Sequence, residues 1–183
     1  MKKALVIGSN TSKSLSPLIF NYWFKKHKIN ATYSYKEIKP NSFNLEIKKI
    51  LEDESICGFN VTIPYKELVI KKLFKIDQRA KNIGAVNCVS KVNNKWIGKN
   101  TDCLGFYKLI EASINKNKKN KAVVLGYGGA AKAIIYTLKQ LNFNKILLYN
   151  RTYKKIQHLK KKKTIQIINH LEILNEIEKS DIV

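Results

Sequence analysis

Short apolar runs alternate with stretches of helical periodicity along the whole chain. Residues 4–8 are a continuous apolar run and predict a buried strand. Ser16-Pro17 then opens a helix carrying Leu18, Tyr22 and Phe24, with Ser at the cap and Pro at the first helical position. Residues 32–38 alternate as a strand does. Residues 41–51 place Phe43, Leu45, Ile47, Ile50 and Leu51 at helical spacing. Residues 58–63 predict a strand that ends at Pro64, and residues 67–74 a helix. Residues 86–92, Asn93-Asn94 and residues 96–98 read as a hairpin. Strand and helix in alternation predict an α/β layer with a largely parallel sheet.

The pattern breaks at the polar, low-complexity stretch 115–121, which reads as a connection or a helix end. It then restarts. Residues 122–125 are the continuous apolar strand of a sheet covered on both faces. A glycine-rich turn occupies 126–130 and a helix 131–141. A strand follows at 145–149, a helix at 153–159, a strand at 165–168 and a helix at 171–177. Asp181-Ile182-Val183 reads as the opening of one more strand. The expected organisation is an N-terminal α/β substrate domain (1–101), followed by an incomplete Rossmann-type doubly wound parallel sheet domain (102–183).

The 183 residues suffice for a sizeable core, and 44% hydrophobic with 26% charged residues describes a globular chain. No apolar run approaches the length of a membrane span. After Met1-Lys2-Lys3 the apolar stretch is too short for a secretory signal. Cys57, Cys88 and Cys103 are odd in number and show no CxxC spacing. That argues against a disulfide framework and a zinc site, expects no metal, and fits a reducing cytoplasm.

The net charge of +22 at first suggests a nucleic-acid partner. Of the 35 basic residues, however, 33 are Lys, spread along the chain, and only Arg79 and Arg151 are Arg. Lys, Asn and Ile are all in excess and all use A/T-rich codons. No specific nucleic-acid partner is expected; the charge favours anionic small molecules near a cleft.

Gly126-Tyr127-Gly128-Gly129-Ala130-Ala131 follows a strand and opens a helix. Gly126 permits a tight turn, Gly128 lets the backbone approach a pyrophosphate, and Ala131 allows close helix packing. The helix N-terminus offers free N–H groups to the anion. At the end of the next strand, an NAD site usually places an acid for the ribose hydroxyls. Here stand Asn150-Arg151-Thr152, then Lys154 and Lys155, with no acid from 141 to 163. A guanidinium beside a hydroxyl suits a 2′-phosphate, so the cofactor expected is NADP.

Polar residues also cluster at strand ends in the first half: Ser14 and Ser16, then Asn60, Thr62 and Lys66, then Asn87. Asn100-Thr101-Asp102 lies at the expected junction. Hydroxyls, amides, one ammonium and one carboxylate suit a polyhydroxylated carboxylate. Asp102 also stands where it could cap a helix over 104–110.

In order and spacing, Ser14-Leu15-Ser16-Pro17, Asn60-Val61-Thr62-Ile63-Pro64-Tyr65-Lys66, Gly84-Ala85-Val86-Asn87, Asn100-Thr101-Asp102, Gly126-Tyr127-Gly128-Gly129-Ala130 and Asn150-Arg151-Thr152 resemble the motifs of shikimate dehydrogenases. The resemblance covers the family's first two-thirds. Its later Asn-Ala-Thr-Pro segment, its Tyr near the nicotinamide and its late Gln have no counterpart. Cys103 stands where the family usually has Gly.

The resemblance implies NADPH-dependent reduction of 3-dehydroshikimate to shikimate in aromatic amino acid biosynthesis, by a monomer or homodimer. It implies that Ser14 and Ser16 hold the substrate carboxylate, and that Asn60, Thr62, Asn87 and Asp102 hold ring hydroxyls. Lys66 and Asp102 would form the catalytic pair. Gly126, Tyr127, Gly128, Gly129, Ala130, Asn150, Arg151, Thr152 and Lys155 would hold the cofactor. A quinate- or NAD-using relative, and a non-catalytic chain that only binds NADP or shikimate, are the alternatives.

Overall fold

The computed structural model describes residues 1–114 and 120–183, so most of the polar stretch at 115–121 lies outside the described residues. The chain forms two compact units, Met1–Asn100 and Thr101–Val183.

The first unit is a six-stranded mixed sheet: β1 (Lys2–Gly8), β2 (Ala31–Glu37), β3 (Ile56–Val61), β4 (Lys75–Ile76), β5 (Cys88–Val92) and β6 (Lys95–Lys99), in the order β2-β1-β3-β5-β6-β4. β1 runs parallel to β2 and β3, and β5 runs antiparallel to both β3 and β6. Leu5 and Ile7 of β1 and Phe59 and Val61 of β3 share one face. They pack with Phe43, Ile47 and Ile50 of α2 (Phe43–Glu52), whose three- and four-residue spacing puts them on one side of that helix. The β5–β6 hairpin turns at Asn93 and Asn94, both with positive φ (48° and 59°), the conformation a two-residue hairpin favours and Asn tolerates.

α1 (Ser16–Lys26) lies along the other face and differs from expectation. Its N-cap is Leu15, and Ser16 is already helical. None of its residues is buried, and Leu18 and Tyr22 are exposed. It is held instead through Asn21 and Phe20. The Asn21 Nδ2 donates to the Tyr33 carbonyl and its Oδ1 accepts from the Tyr33 N–H, both at 2.8 Å, while Phe20 stacks on Tyr33 at 4.5 Å.

Two further expected helices resolve as shorter turns. Over 67–74 there is one 3-10 turn (Leu68–Lys72) with only Val69 buried. The chain then pairs as the edge strand β4 with β6, and that pairing competes with continued helix. Over 153–159 two 3-10 turns (Tyr153–Lys155 and Gln157–Lys161) bury Ile156 and Leu159, three residues apart, the spacing that eclipses in a 3-10 helix. The sequence pattern also misses α3 (Gln78–Ile83), a short helix capped by Asp77, whose side chain accepts from Ala80 N–H at 2.7 Å.

The second unit contains α4 (Asp102–Ile110), β7 (Lys121–Leu125), α5 (Gly129–Gln140), β8 (Lys145–Tyr149), β9 (Ile165–Ile167) and α6 (Ile173–Glu178). β7, β8 and β9 form a parallel sheet in that order. On the far side of β7, Ile182 bridges Ala122 in parallel; Val123 N–H donates to the Ile182 carbonyl, and Asp181 N–H to the Lys121 carbonyl, both at 2.9 Å. The strand order therefore reverses beside β7, the position where doubly wound sheets bind ligands at their carboxyl ends.

Candidate functional site

In the first unit the polar residues gather at the carboxyl ends of β1 and β3. Because β5 runs antiparallel to β3, the end of β3 meets the start of β5: Asn60 lies opposite Cys88, and Val61 N–H donates to the Asn87 carbonyl at 2.9 Å. Thr62 N–H donates to the Ile7 carbonyl, and Val86 N–H to the Lys66 carbonyl at 2.8 Å. Asn60, Thr62, Lys66 and Asn87 are thus placed by one set of backbone bonds, and all four are half-buried.

The backbone under Lys66 is anchored by its neighbour. Tyr65 is fully buried, stacks on Phe43 at 4.5 Å and donates its hydroxyl to the Ile38 carbonyl at 2.5 Å. The peptide bond Ile63-Pro64 is cis. Asn100 is also buried, and its Nδ2 donates to the Ala85 carbonyl at 2.9 Å, which fixes the segment leading to Asn87.

The loop between β1 and α1 is tied to the same sheet end. Glu37 Oε1 accepts from Thr11 N–H (3.0 Å) and Ser12 N–H (2.9 Å), and the Ser12 hydroxyl first, then these backbone bonds, hold its carboxyl below the usual range. Ser9 N–H donates to the Ile63 carbonyl. Ser14 and Ser16 are half-buried, and Ser14 Oγ accepts from Ser16 N–H at 3.2 Å.

The second unit carries the glycine loop at the carboxyl end of β7. Gly126 adopts φ +101°, and its N–H donates to the Tyr149 carbonyl at 2.7 Å. The helix starts at Gly129, two residues earlier than its apolar pattern suggests, so Gly129 and Ala130 sit in its first turn. First-turn N–H groups have no intrahelical partner and stay available to an anion. Gly128 is the cap, with no side-chain cap bond, and its carbonyl accepts from Lys132 N–H. A Cβ built on Gly126 or Gly128 would meet no atom within 4 Å, so open space lies over the loop where a pyrophosphate would sit. Tyr127 packs on the core of this unit, as does Ala131. The loop fits a dinucleotide.

Asn150 and Arg151 follow β8 and line a cavity of about 360 Å³. Asn150 Nδ2 donates to the Thr152 carbonyl at 2.8 Å. Thr152 and Lys155 are exposed and are not among the cavity's lining residues. The lining adds Tyr149, Lys160, His170 and Glu172, which sequence reasoning missed. The signal lay in the pairing of β8 with β9, which brings the residues after β9 beside those after β8. Glu172 is an acid in this cavity, but its Oε2 accepts from Asn169 N–H at 2.7 Å in a capping box.

Asp102 is the first residue of α4; the N-cap position falls one residue earlier than expected, at Thr101, and carries no side-chain cap bond. Cys103 is buried, and its carbonyl accepts from the Thr137 hydroxyl at 3.1 Å.

A glycine-loop parallel sheet following a mixed-sheet unit with a polar strand-end cluster defines a two-unit α/β chain of the doubly wound class. Residues 6–89 match the shikimate dehydrogenase substrate binding domain, and residues 108–183 match shikimate / quinate 5-dehydrogenase. Among curated relatives, shikimate dehydrogenase (NADP(+)) of Pelagibacter ubique is 42% identical over 88% of this chain and 61% of its own length. The Clostridium botulinum protein of the same name is 38% identical over 97% and 68%. Among solved structures, Aquifex aeolicus shikimate dehydrogenase aligns with a TM-score of 0.87 at 36% identity, covering 100% of this chain and 67% of that one. The Thermus thermophilus enzyme in complex with NADP(H) and shikimate aligns at 0.79 and 26% identity, over 94% and 64%. The chain belongs to the shikimate dehydrogenase family, and it spans about 60–70% of the length of these relatives.

Proposed function

We propose that this chain carries the substrate site and the nucleotide loop of an NADP-dependent shikimate dehydrogenase, which reduces 3-dehydroshikimate to shikimate. The observation that supports it most is the gathering of Asn60, Thr62, Lys66 and Asn87 where β3 meets β5, at the sheet end to which the Ser14–Ser16 loop is tied. The names of the curated relatives favour shikimate with NADP over quinate or NAD.

In this reading Ser14 and Ser16 bind the substrate carboxylate through their hydroxyls, and Asn60, Thr62 and Asn87 hold the ring oxygens. Bound NADPH would supply the hydride that goes to the ketone carbon. Lys66 holds the proton that the ketone oxygen takes up: its ammonium stabilises the growing negative charge, donates from Nζ, and regains a proton from solvent. Asp102 supplies the second catalytic group, a carboxylate that hydrogen-bonds a substrate hydroxyl. The glycine loop and the first turn of α5 receive the pyrophosphate. Arg151, with Thr152 and Lys155, receives the 2′-phosphate. The compartment is a reducing cytoplasm, a reading supported by the free thiols of Cys57, Cys88 and Cys103.

The test is shikimate-dependent reduction of NADP. Lys66→Ala lowers kcat by about 10²–10⁴-fold, Asp102→Ala also removes turnover, and both variants keep NADP affinity. Full activity in either variant refutes the pair.

A further inference from the structure

We propose that Tyr33 is a positioning residue for the substrate site, presenting the Asn60 side chain to shikimate as a hydrogen-bond donor. The inference rests on Asn60 being a substrate-binding residue. Tyr33 lies on β2, two strands away from Asn60 in the sheet, with Ala4 opposite it on β1. Ala4 is small, and the Tyr33 side chain reaches across β1. Tyr33 Oη lies 2.7 Å from Asn60 Oδ1.

The direction of that bond follows from the third member of the chain. Asn60 Nδ2 donates to the Asn87 carbonyl at 3.2 Å, and a backbone carbonyl can only accept. The amide nitrogen is therefore fixed on the Asn87 side, and Oδ1 faces Tyr33. Tyr33 Oη must donate. It does so across the accessible pH range, because burial beside the Cys88 thiol pushes its ionisation well above the ordinary value. One Asn60 N–H and the Oδ1 lone pair facing Tyr33 are thereby spent, and the second N–H of Nδ2 is left for a ligand. An asparagine without these two partners presents its oxygen or its nitrogen with little preference.

Tyr33 itself is held independently of this contact. It is 4% exposed, stacked on Phe20 and clamped at its backbone by Asn21. Removal of the hydroxyl alone leaves these contacts in place.

The test is calorimetric titration with shikimate and, separately, with NADP. The samples are the unsubstituted chain, Tyr33→Phe, Asn60→Ala and the double variant. Tyr33→Phe weakens shikimate binding about five- to tenfold, the scale of one hydrogen bond, and leaves NADP affinity unchanged. In the Asn60→Ala background the same substitution has no further effect on shikimate, because the two residues act as one unit. Asn60→Asp, which keeps the acceptor for Tyr33 and lacks the N–H, weakens shikimate binding at least as much as Asn60→Ala does. An unchanged shikimate affinity in Tyr33→Phe, an equal effect with and without Asn60, or tighter binding by Asn60→Asp than by Asn60→Ala overturns the proposal. Failure of the unsubstituted chain to bind shikimate overturns the substrate reading itself, and the proposal with it.

Discussion

Tyr65 precedes Lys66 and holds the proposed proton donor's backbone in the core, so its removal is a quantitative test of how the site is supported. Its ring is fully buried among the side chains of the first unit and stacks on Phe43 at the start of α2, with an interplanar angle of 19°. Its hydroxyl satisfies the Ile38 carbonyl at 2.5 Å. Tyr65→Ala deletes the ring from a packed interior and should cost about 3–5 kcal/mol. Total domain stability is typically about 5–15 kcal/mol, so the loss is a large fraction of it. Tyr65→Phe keeps the ring and the stack and leaves only the Ile38 carbonyl without its partner, a cost of about 1–3 kcal/mol. The assay is urea unfolding followed by tryptophan fluorescence, since Trp96 is packed in the same core cluster. A loss under about 1 kcal/mol for Tyr65→Ala, or equal losses for the two variants, would refute the claim that this ring anchors the segment.

Two further outcomes follow from the charges. Arg151→Glu places an acid at the end of β8 and lowers NADP affinity by about tenfold or more, the scale of a charge-assisted bond, while NAD affinity holds or improves; equal losses for both would sink the assignment. Glu46 is hydrogen-bonded and ion-paired to Lys36 and Lys49, each at 2.7 Å, and its carboxyl is held from the usual 4.5 down to about 2. A carboxyl depressed in the folded state stabilises it fully above the ordinary value and loses that contribution as pH falls toward the depressed one. Acid unfolding should therefore show a component between about pH 4.5 and 2 that Glu46→Gln flattens; an identical profile would contradict the assignment.

The alternation of apolar strands and helical patterns made the α/β layers legible, and the Gly126–Ala130 run after a strand located the nucleotide loop. Ordered motifs such as Asn60 to Lys66 pointed to the family before any geometry was available. What the pattern missed depends on pairing across the sheet. His170 and Glu172 share a cavity with Arg151 because β9 lies beside β8. The link from Tyr33 to Asn60 and on to the Asn87 carbonyl needs the registers of β2, β1, β3 and β5 together. The helix α1 carries Leu18, Tyr22 and Phe24 as expected, but it is fastened through Asn21 and Phe20, which its apolar pattern did not single out. After Lys66 the chain is drawn into the edge pairing of β4 with β6, and after Thr152 the buried residues Ile156 and Leu159 stand three apart, so 3-10 turns form in both places.

On the proposed reading, the glycine loop and Arg151 hold NADP in preference to NAD. Calorimetric titration of the chain with each dinucleotide tests it most directly. NADP should bind at least about tenfold tighter than NAD, the contribution of one charge-assisted contact to the 2′-phosphate. Equal affinities, or tighter binding of NAD, would contradict it.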